Sequence, residues 1–329
     1  MVILFSSGTQ YMNRNQEQIR SGLHEHNLSS VEVGTAQYAD GPTGATVIYF
    51  PKGARGAVDI RGGAAAVREA SSLSSFNTWG TVDGLVIAGG STYGLEAADG
   101  VCEALLKLRN NSTKFQDIPA VPAAIVYDFL GRDNAIYPDK ELGALAFKQK
   151  KANVVEYGNV GAGTFVSVGK YLGRKYAQKS GQAVGFLEIG KIKILVISVV
   201  NALGNIVDRK GNIIAGSFDQ ALEKHISIPE FLINKINNRD DSELKNEGNT
   251  TITTLITNAK LSRSDLQRIG MMCHTSMGQV IDPFHTPHDG DSFFTFSTME
   301  ESLPKGFVPG DLGVLGSELL KDSIIKLFK

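Results

Sequence analysis

One junction late in the chain restricts its folding more than any other feature. Residues 250–258 read TTITTLITN, a run rich in β-branched side chains and free of glycine and proline. Such side chains suit a pleated surface, so the run is predicted as a strand. Directly before it, residues 237–248 (NNRDDSELKNEG) hold a single apolar residue, Leu244. That segment has the composition of an exposed, mobile loop. A passage from such a loop into a buried strand is where a chain can be cut without unfolding the product. An ordinary loop–strand junction has the same composition.

Further strands are predicted at residues 46–50 (TVIYF), 84–88 (GLVIA), 123–127 (AAIVY) and 192–199 (IKILVISV). Helical patterns alternate with them. Residues 91–107 place Leu95, Ala98, Val101, Cys102 and Leu105 on one face. A second helix is predicted to start at Ser264, with Gln267 completing a capping box, and to run through Leu266, Ile269, Cys273, Met277 and Val280. This mixing predicts a layered α/β architecture. With 329 residues and 42% hydrophobic content the chain can bury a large core, as one large domain or two smaller ones, and of these we take residues 1–329 as one domain.

Charge and cysteine usage narrow the function. Thirty-three basic and 34 acidic residues leave a formal charge of -1, so there is no electrostatic reason to expect a nucleic-acid or membrane-surface partner. Two cysteines, Cys102 and Cys273, cannot build a disulfide framework or a four-thiolate zinc site. Cys273 reads as a small buried hydrophobe. No apolar run reaches the roughly 18 residues of a membrane span. The start, MVILFSSGTQYMNRN, lacks the basic region of a signal peptide. A cytoplasmic location is the expectation, with periplasmic or secreted ones left open.

Threonine is a weak nucleophile unless a base sits beside it. Were Thr250 the first residue of a chain, its own α-amine, titrating near ~7.7–8.0 in model compounds, would be that base. Its hydroxyl can also attack the Asn249 carbonyl and shift the acyl group from nitrogen to oxygen, so that water hydrolyses the ester. Further on, residues 284–294 (FHTPHDGDSFF) gather two histidines and two aspartates. Three readings compete there: an Asx-type turn with solvated charges; a metal site from His285, His288 and Asp289; or a carboxylate pair, Asp289 and Asp291, that orients the nucleophile and receives a substrate amine. Gly89–Gly90–Ser91 fits a tight turn with a helix N-cap rather than a nucleophile elbow, and Gly161–Ala162–Gly163 lacks the third glycine of a dinucleotide fingerprint.

Longer motifs complete the picture: TGATVIYFPKGARGAVDIRGGAAAVRE from residue 43, AGGSTYGLEAADGV from 88, VPAAIVYDF from 121, GNVGAGTFVSVGK from 158, VVNALG from 199, GNTTI from 248 and HTPHDGDSFFTFST from 285. In these motifs and their order the chain resembles the DmpA-type family of self-processing aminopeptidases, which includes β-aminopeptidases and the endo-type 6-aminohexanoate (nylon-oligomer) hydrolase. The resemblance runs from about Gly34 to Phe296. It implies a four-layer α/β/β/α sandwich, shared with the ornithine-acetyltransferase type. It further implies cleavage between Asn249 and Thr250 into residues 1–249 and 250–329, no metal or organic cofactor, and a homo-oligomer of cleaved pairs.

The family's roles fall on Thr250 as nucleophile and on Tyr127, Lys170, Asn201, Asp289 and Asp291. Asn201 and Tyr127 can donate to a developing oxyanion. The Lys170 ammonium would disfavour protonation of the Thr250 amine. Asp289 and Asp291 can hold Thr250 and anchor a substrate ammonium. Aminopeptidase members often carry a serine nucleophile and Ser-Gly-Asp, whereas Asn249–Thr250 and Asp289–Gly290–Asp291 are similar to the nylon-oligomer branch. The expected substrate is therefore a short peptide, amino-acid amide or ω-amino-acid oligomer. The alternatives are an ornithine-acetyltransferase-like acyltransferase, or an uncleaved, non-catalytic binding protein on the same scaffold.

Overall fold

A computed structural model describes residues 19–239 and 248–329. Its frame is a mixed sheet with helices. The principal strands are β1 (Glu32–Tyr38), β2 (Thr43–Ile60), β3 (Val82–Ala88), β4 (Ala123–Ile125), β5 (Gln182–Ile189), β6 (Ile192–Asn201), β7 (Thr250–Ala259) and β8 (Ser292–Glu301). The helices are α1 (Ala97–Leu108), α2 (Lys140–Lys148), α3 (Ile228–Asn237), α4 (Arg263–Met277) and α5 (Pro309–Leu327).

The long strand β2 serves two neighbourhoods. Its first half pairs antiparallel with β1 and β3, and its second half pairs with β8. From β8 the ladder continues through β7 and β6 to β5. Only the β7–β8 pair in that series is parallel, and α4 makes the crossover between them, as a parallel connection requires.

Every residue of β7 is buried, which explains a β-branched run without polar alternation. Ile252 and Ile256 point into one core with Leu195, Ile197, Phe294 and Phe296. Leu255 and Ala259 point the other way, to Val196, Cys273 and Leu320. The second of these cores lies under α4 and α5. A third, with Val47, Val86, Val101, Leu105 and Leu142, lies under α1 and α2. Burying one such Leu, Ile or Phe side chain contributes about 1.5–3 kcal/mol, so three contiguous cores hold the strands against chain entropy. Cys273 is fully buried in its core, as its place on the helix face implies.

Several boundaries differ from the local patterns. Helix α4 is capped by Ser262 and Asp265, not by Ser264 and Gln267. Residues 262–267 carry two overlapping boxes, and the helix starts at the earlier one. Gln267 then faces β2, where its Nε2 donates to the Val58 carbonyl at 2.9 Å. Val280 lies past the helix end but stays buried.

Residues 91–107 open as a 3-10 turn, Ser91–Glu96, before α1 begins. The N-cap is Gly90 rather than Ser91, and no side chain among the described residues caps this turn; the Gly90 N–H donates instead to Asp128 Oδ1 at 2.9 Å. β4 also ends earlier than its apolar run, at Ile125. Arg132 and Thr43 grip Asp128 at 2.7 and 2.5 Å, and the chain leaves the sheet after Ile125. Tyr127 therefore sits beyond the strand end.

The polar segment expected at 237–248 begins at the last residue of α3, and its residues 240–247 lie outside the described residues. No helix among the described residues is long and apolar enough to cross a membrane.

Candidate active site

Thr250 opens β7 and lies opposite Asn201, the last residue of β6. The junction is not on the surface: Asn249 is 1% and Thr250 4% exposed. The Thr250 hydroxyl donates to the Asn249 carbonyl. The same carbonyl accepts the Gly290 N–H at 2.8 Å, and Asn249 forms a parallel bridge with Asp289. The Asn249–Thr250 junction is thus strapped to the Asp289–Gly290–Asp291 turn. Gly290 has to be small, because a Cβ there would stand 2.6 Å from Thr250 Oγ1. Both polar atoms of the Asn249 side chain are buried without a hydrogen-bond partner among the described residues.

The two aspartates are buried, at 1% and 0% exposure, which rules against a turn with solvated charges. Their bonding differs. Asp291 Oδ1 accepts the Thr251 N–H at 2.8 Å. Its Oδ2 accepts the His285 N–H at 3.1 Å and faces His285 Nδ1 at 3.0 Å. Asp289 Oδ2 accepts the Thr286 N–H at 2.9 Å and the Thr286 hydroxyl at 2.7 Å. No donor among the described residues reaches Asp289 Oδ1 in good hydrogen-bond geometry. Burial, and then the neighbouring Asp291 charge, push the Asp289 carboxyl above its usual range; the Thr286 donors and a weak contribution from the Leu203 amide oppose this.

Lys170 is buried and bound to Asn201, donating to its backbone carbonyl at 2.9 Å and to Oδ1 at 2.6 Å. The Ser167 N–H reaches the same Oδ1 at 3.2 Å. Those donors fix the Asn201 amide so that its Nδ2 points outward, donating to the Tyr127 carbonyl at 3.0 Å. Burial pushes the Lys170 amine down to about 7 despite the opposing charges of Asp289 and Asp291. Near neutral pH a large share of Lys170 is therefore uncharged, which weakens any action by ammonium repulsion alone. The half-buried Tyr127 ring packs at 5.8 Å from Phe129 and lies against Gly248, next to the junction.

The structure thus brings Thr250, Asn201 and Lys170 together through the β6 end, Asp289 and Asp291 through the turn before β8, and Tyr127 through its carbonyl. His288 is exposed and His285 is turned onto Asp291, so these two and Asp289 do not form a ligand set. Among the described residues no group of three or more His, Cys, Asp or Glu is arranged to hold a metal ion.

Some contributors were invisible to sequence patterns. Arg61 and Gly62 N–H groups donate to the Asp291 carbonyl at 3.1 and 3.2 Å, and Ala64 N–H donates to the Asp289 carbonyl at 2.8 Å. A Cβ at Gly62 would collide with Asp291 N and Asp289 O. Behind His285 lies His274, fully buried, with Nδ1 at 3.0 Å from Asp59 Oδ2. Burial is the main cause holding the His274 imidazole below its ordinary range. The only signal for the backbone clamp was the Arg61–Gly62–Gly63 run inside a longer motif.

Comparison with known proteins agrees with this geometry. Residues 27–329 match peptidase family S58. The 6-aminohexanoate-oligomer endohydrolase of Paenarthrobacter ureafaciens is 36% identical over 312 residues, covering 91% of this chain and 84% of the relative. The enzyme of the same name from Kocuria sp. (strain KY2) is 37% identical with the same coverage. Among solved structures, a β-aminopeptidase from Burkholderia sp. superposes with a TM-score of 0.65 at 15% identity, over 91% of this chain and 84% of that one. The L-aminopeptidase D-Ala-esterase/amidase of Ochrobactrum anthropi, described as a variant among the Ntn hydrolase fold, gives 0.65 at 15% identity, over 91% of this chain and 83% of that one. Motifs, fold and matches over most of the chain agree: the chain belongs to peptidase family S58, a family of amide hydrolases.

Proposed function

We propose that the chain cuts itself between Asn249 and Thr250, and that Thr250 then hydrolyses amides as an N-terminal nucleophile. One observation carries this reading: a threonine hydroxyl bonded to the carbonyl before it, at a buried junction framed by Asn201, Lys170, Asp289 and Asp291. In the first reaction Thr250 Oγ adds to the Asn249 carbonyl carbon, its hydroxyl proton passes to the Thr250 nitrogen, and the C–N bond breaks to leave an ester and a free amine. Water hydrolyses the resulting ester to an Asn249 carboxylate and a free Thr250 hydroxyl. The unpartnered Asn249 amide costs about 1–3 kcal/mol while buried, a penalty that separation relieves.

In turnover the Thr250 amine takes the hydroxyl proton, Oγ attacks the substrate carbonyl, and the leaving amine departs with a proton. Water then releases the acyl group. One N–H of the Asn201 amide is committed to the Tyr127 carbonyl, and the second is left for the oxyanion. Lys170 acts chiefly by holding that amide in place. We take Asp289 Oδ1, buried and without a well-formed bond among the described residues, as the acceptor for a substrate ammonium, which points to amides next to a free amino group. These include short peptides, amino-acid amides and ω-amino-acid oligomers, in keeping with the relatives' names.

The three cores support a four-layer α/β/β/α stack as the full architecture. They also support one domain whose pieces, 1–249 and 250–329, stay together, because β7 pairs with β6 and β8 with β2 across the cut. We further propose that the cleaved pairs form a homo-oligomer. The test is intact-mass analysis: the purified protein should contain a chain beginning TTITTLITN. Thr250→Ala should abolish both that chain and turnover, and Thr250→Ser should keep part of each. Turnover by an uncut protein would refute the reading.

A further inference from the structure

Among the groups around the site, His285 has an arrangement that the catalytic reading does not use. Its backbone is left-handed, with φ 58°, a conformation that a histidine adopts at a cost. That twist lets one residue reach the same oxygen twice: the N–H and Nδ1 of His285 both meet Asp291 Oδ2, at 3.1 and 3.0 Å. A carboxylate oxygen only accepts, so Nδ1 carries the proton. The ring is locked between two others. It stacks on Phe284 at 3.9 Å and meets the His274 ring edge-on at 4.3 Å, while His274 is held through its own Nδ1 by Asp59. Asp291 Oδ1 is thereby aimed at the Thr251 N–H, the peptide that carries the Thr250 carbonyl.

We propose that His285 is a positioning residue: by chelating Asp291 it fixes the backbone of residues 250–251, and with it the direction from which Thr250 Oγ approaches a carbonyl. It also gives the two aspartates different tasks. Both oxygens of Asp291 are held by protein donors, whereas Asp289 Oδ1 is buried without a well-formed bond among the described residues. The inference rests on Thr250 being the nucleophile. A misaligned nucleophile slows the chemical step and leaves substrate binding alone, so the effect falls on kcat and not on KM.

The experiment compares His285→Gly, His285→Asn and His285→Asp on a 6-aminohexanoate oligomer, with rates normalised to cleaved chains counted by mass spectrometry. All three tolerate the left-handed backbone, but only Asn replaces the lost donor. We expect kcat to fall at least tenfold in the Gly variant with KM within twofold of the parent, and Asn to recover to within threefold. Should the Gly variant not fold, the isosteric Asn and Asp variants decide, with Asn at least tenfold faster. A Gly variant within twofold of the parent in kcat, equal impairment of the Gly and Asn variants, an Asn/Asp ratio near one, or a change confined to KM would each overturn the assignment. Thr250→Ala run in parallel separates the two claims. A Thr250→Ala protein that turns over refutes the nucleophile. A dead Thr250→Ala protein beside a fully active His285→Gly refutes only the positioning role.

Discussion

The anchoring of a substrate ammonium by Asp289 is open to a quantitative test. Asp289 is 1% exposed, two donors occupy its Oδ2, and Oδ1 has no well-formed bond among the described residues. Its desolvation is already borne by the folded protein, so an incoming ammonium gains a charge-assisted hydrogen bond of about 1.5–3 kcal/mol. That corresponds to about 10- to 150-fold in kcat/KM. In Asp289→Asn the amide oxygen can still accept from Thr286, but an N–H replaces the acceptor that faces the substrate. The assay is a double cycle: parent and Asp289→Asn, each on one aminoacyl anilide with its amine free or acetylated. Rates are normalised to cleaved chains. The parent should prefer the free amine by at least tenfold, the variant should lose most of that preference, and the coupling should come to about 1.5–3 kcal/mol. The Asp289 carboxyl is raised above its usual range, chiefly by burial. Activity on the free amine should therefore fall as pH drops through that raised value, where the carboxylate gains a proton. A coupling energy below about 0.5 kcal/mol would show that the ammonium is held elsewhere.

Two further outcomes follow from burial and packing. Lys170 is pushed by burial to about 7 in the fold against an ordinary lysine value of 10.5, so between those values the unfolded chain holds a proton that the folded chain has lost, and stability rises with pH. From pH 7 to 9 this amounts to about 2 kcal/mol, measured by urea unfolding of Thr250→Ala; adding Lys170→Met should flatten the slope, and an unchanged slope would contradict the burial argument. Gly62→Ala should cost about 1–3 kcal/mol and slow self-cleavage, because its Cβ collides with the backbone of the aspartate turn, whereas Gly310→Ala, in open space, should change neither; equal effects at the two positions would refute the clamp.

How much of this was written in local pattern can be judged from particular residues. The strand at 250–258 was legible because seven of its nine side chains are β-branched, and it was observed one residue longer. The strand cores at 46–50, 84–88 and 192–199 were legible for similar reasons, but the extension of β2 to Ile60 was not. Pro51, Lys52 and Gly53 interrupt its apolar run, and the extension beyond them is held by pairing of Ala54 with Val82 of β3 and of residues 55–60 with β8. The helix face of Leu266, Ile269 and Cys273 was read correctly and its cap was not, because two overlapping boxes satisfy the same local rule.

The sequence by itself determined most of the elements and, through its resemblance to a known family, pointed to the candidate reactive groups. β-branched runs and 3.6-residue periodicity are local, and the motif order names Thr250, Tyr127, Lys170, Asn201, Asp289 and Asp291. Only the tertiary structure decided what those groups do to one another. Thr251 and Asp291 are 40 positions apart, and Lys170 and Asn201 are 31, so their meeting depends on which strands pair. Burial was equally out of reach of composition: the same aspartate that a Gly/Pro-rich segment suggests is solvated becomes, under the Arg61–Ala64 backbone, a desolvated carboxyl with one oxygen lacking a well-formed bond among the described residues. Charge and hydrogen-bonding capacity belong to a residue, but pKa and direction are properties of its surroundings, and distant segments supply those surroundings only when the sheet closes.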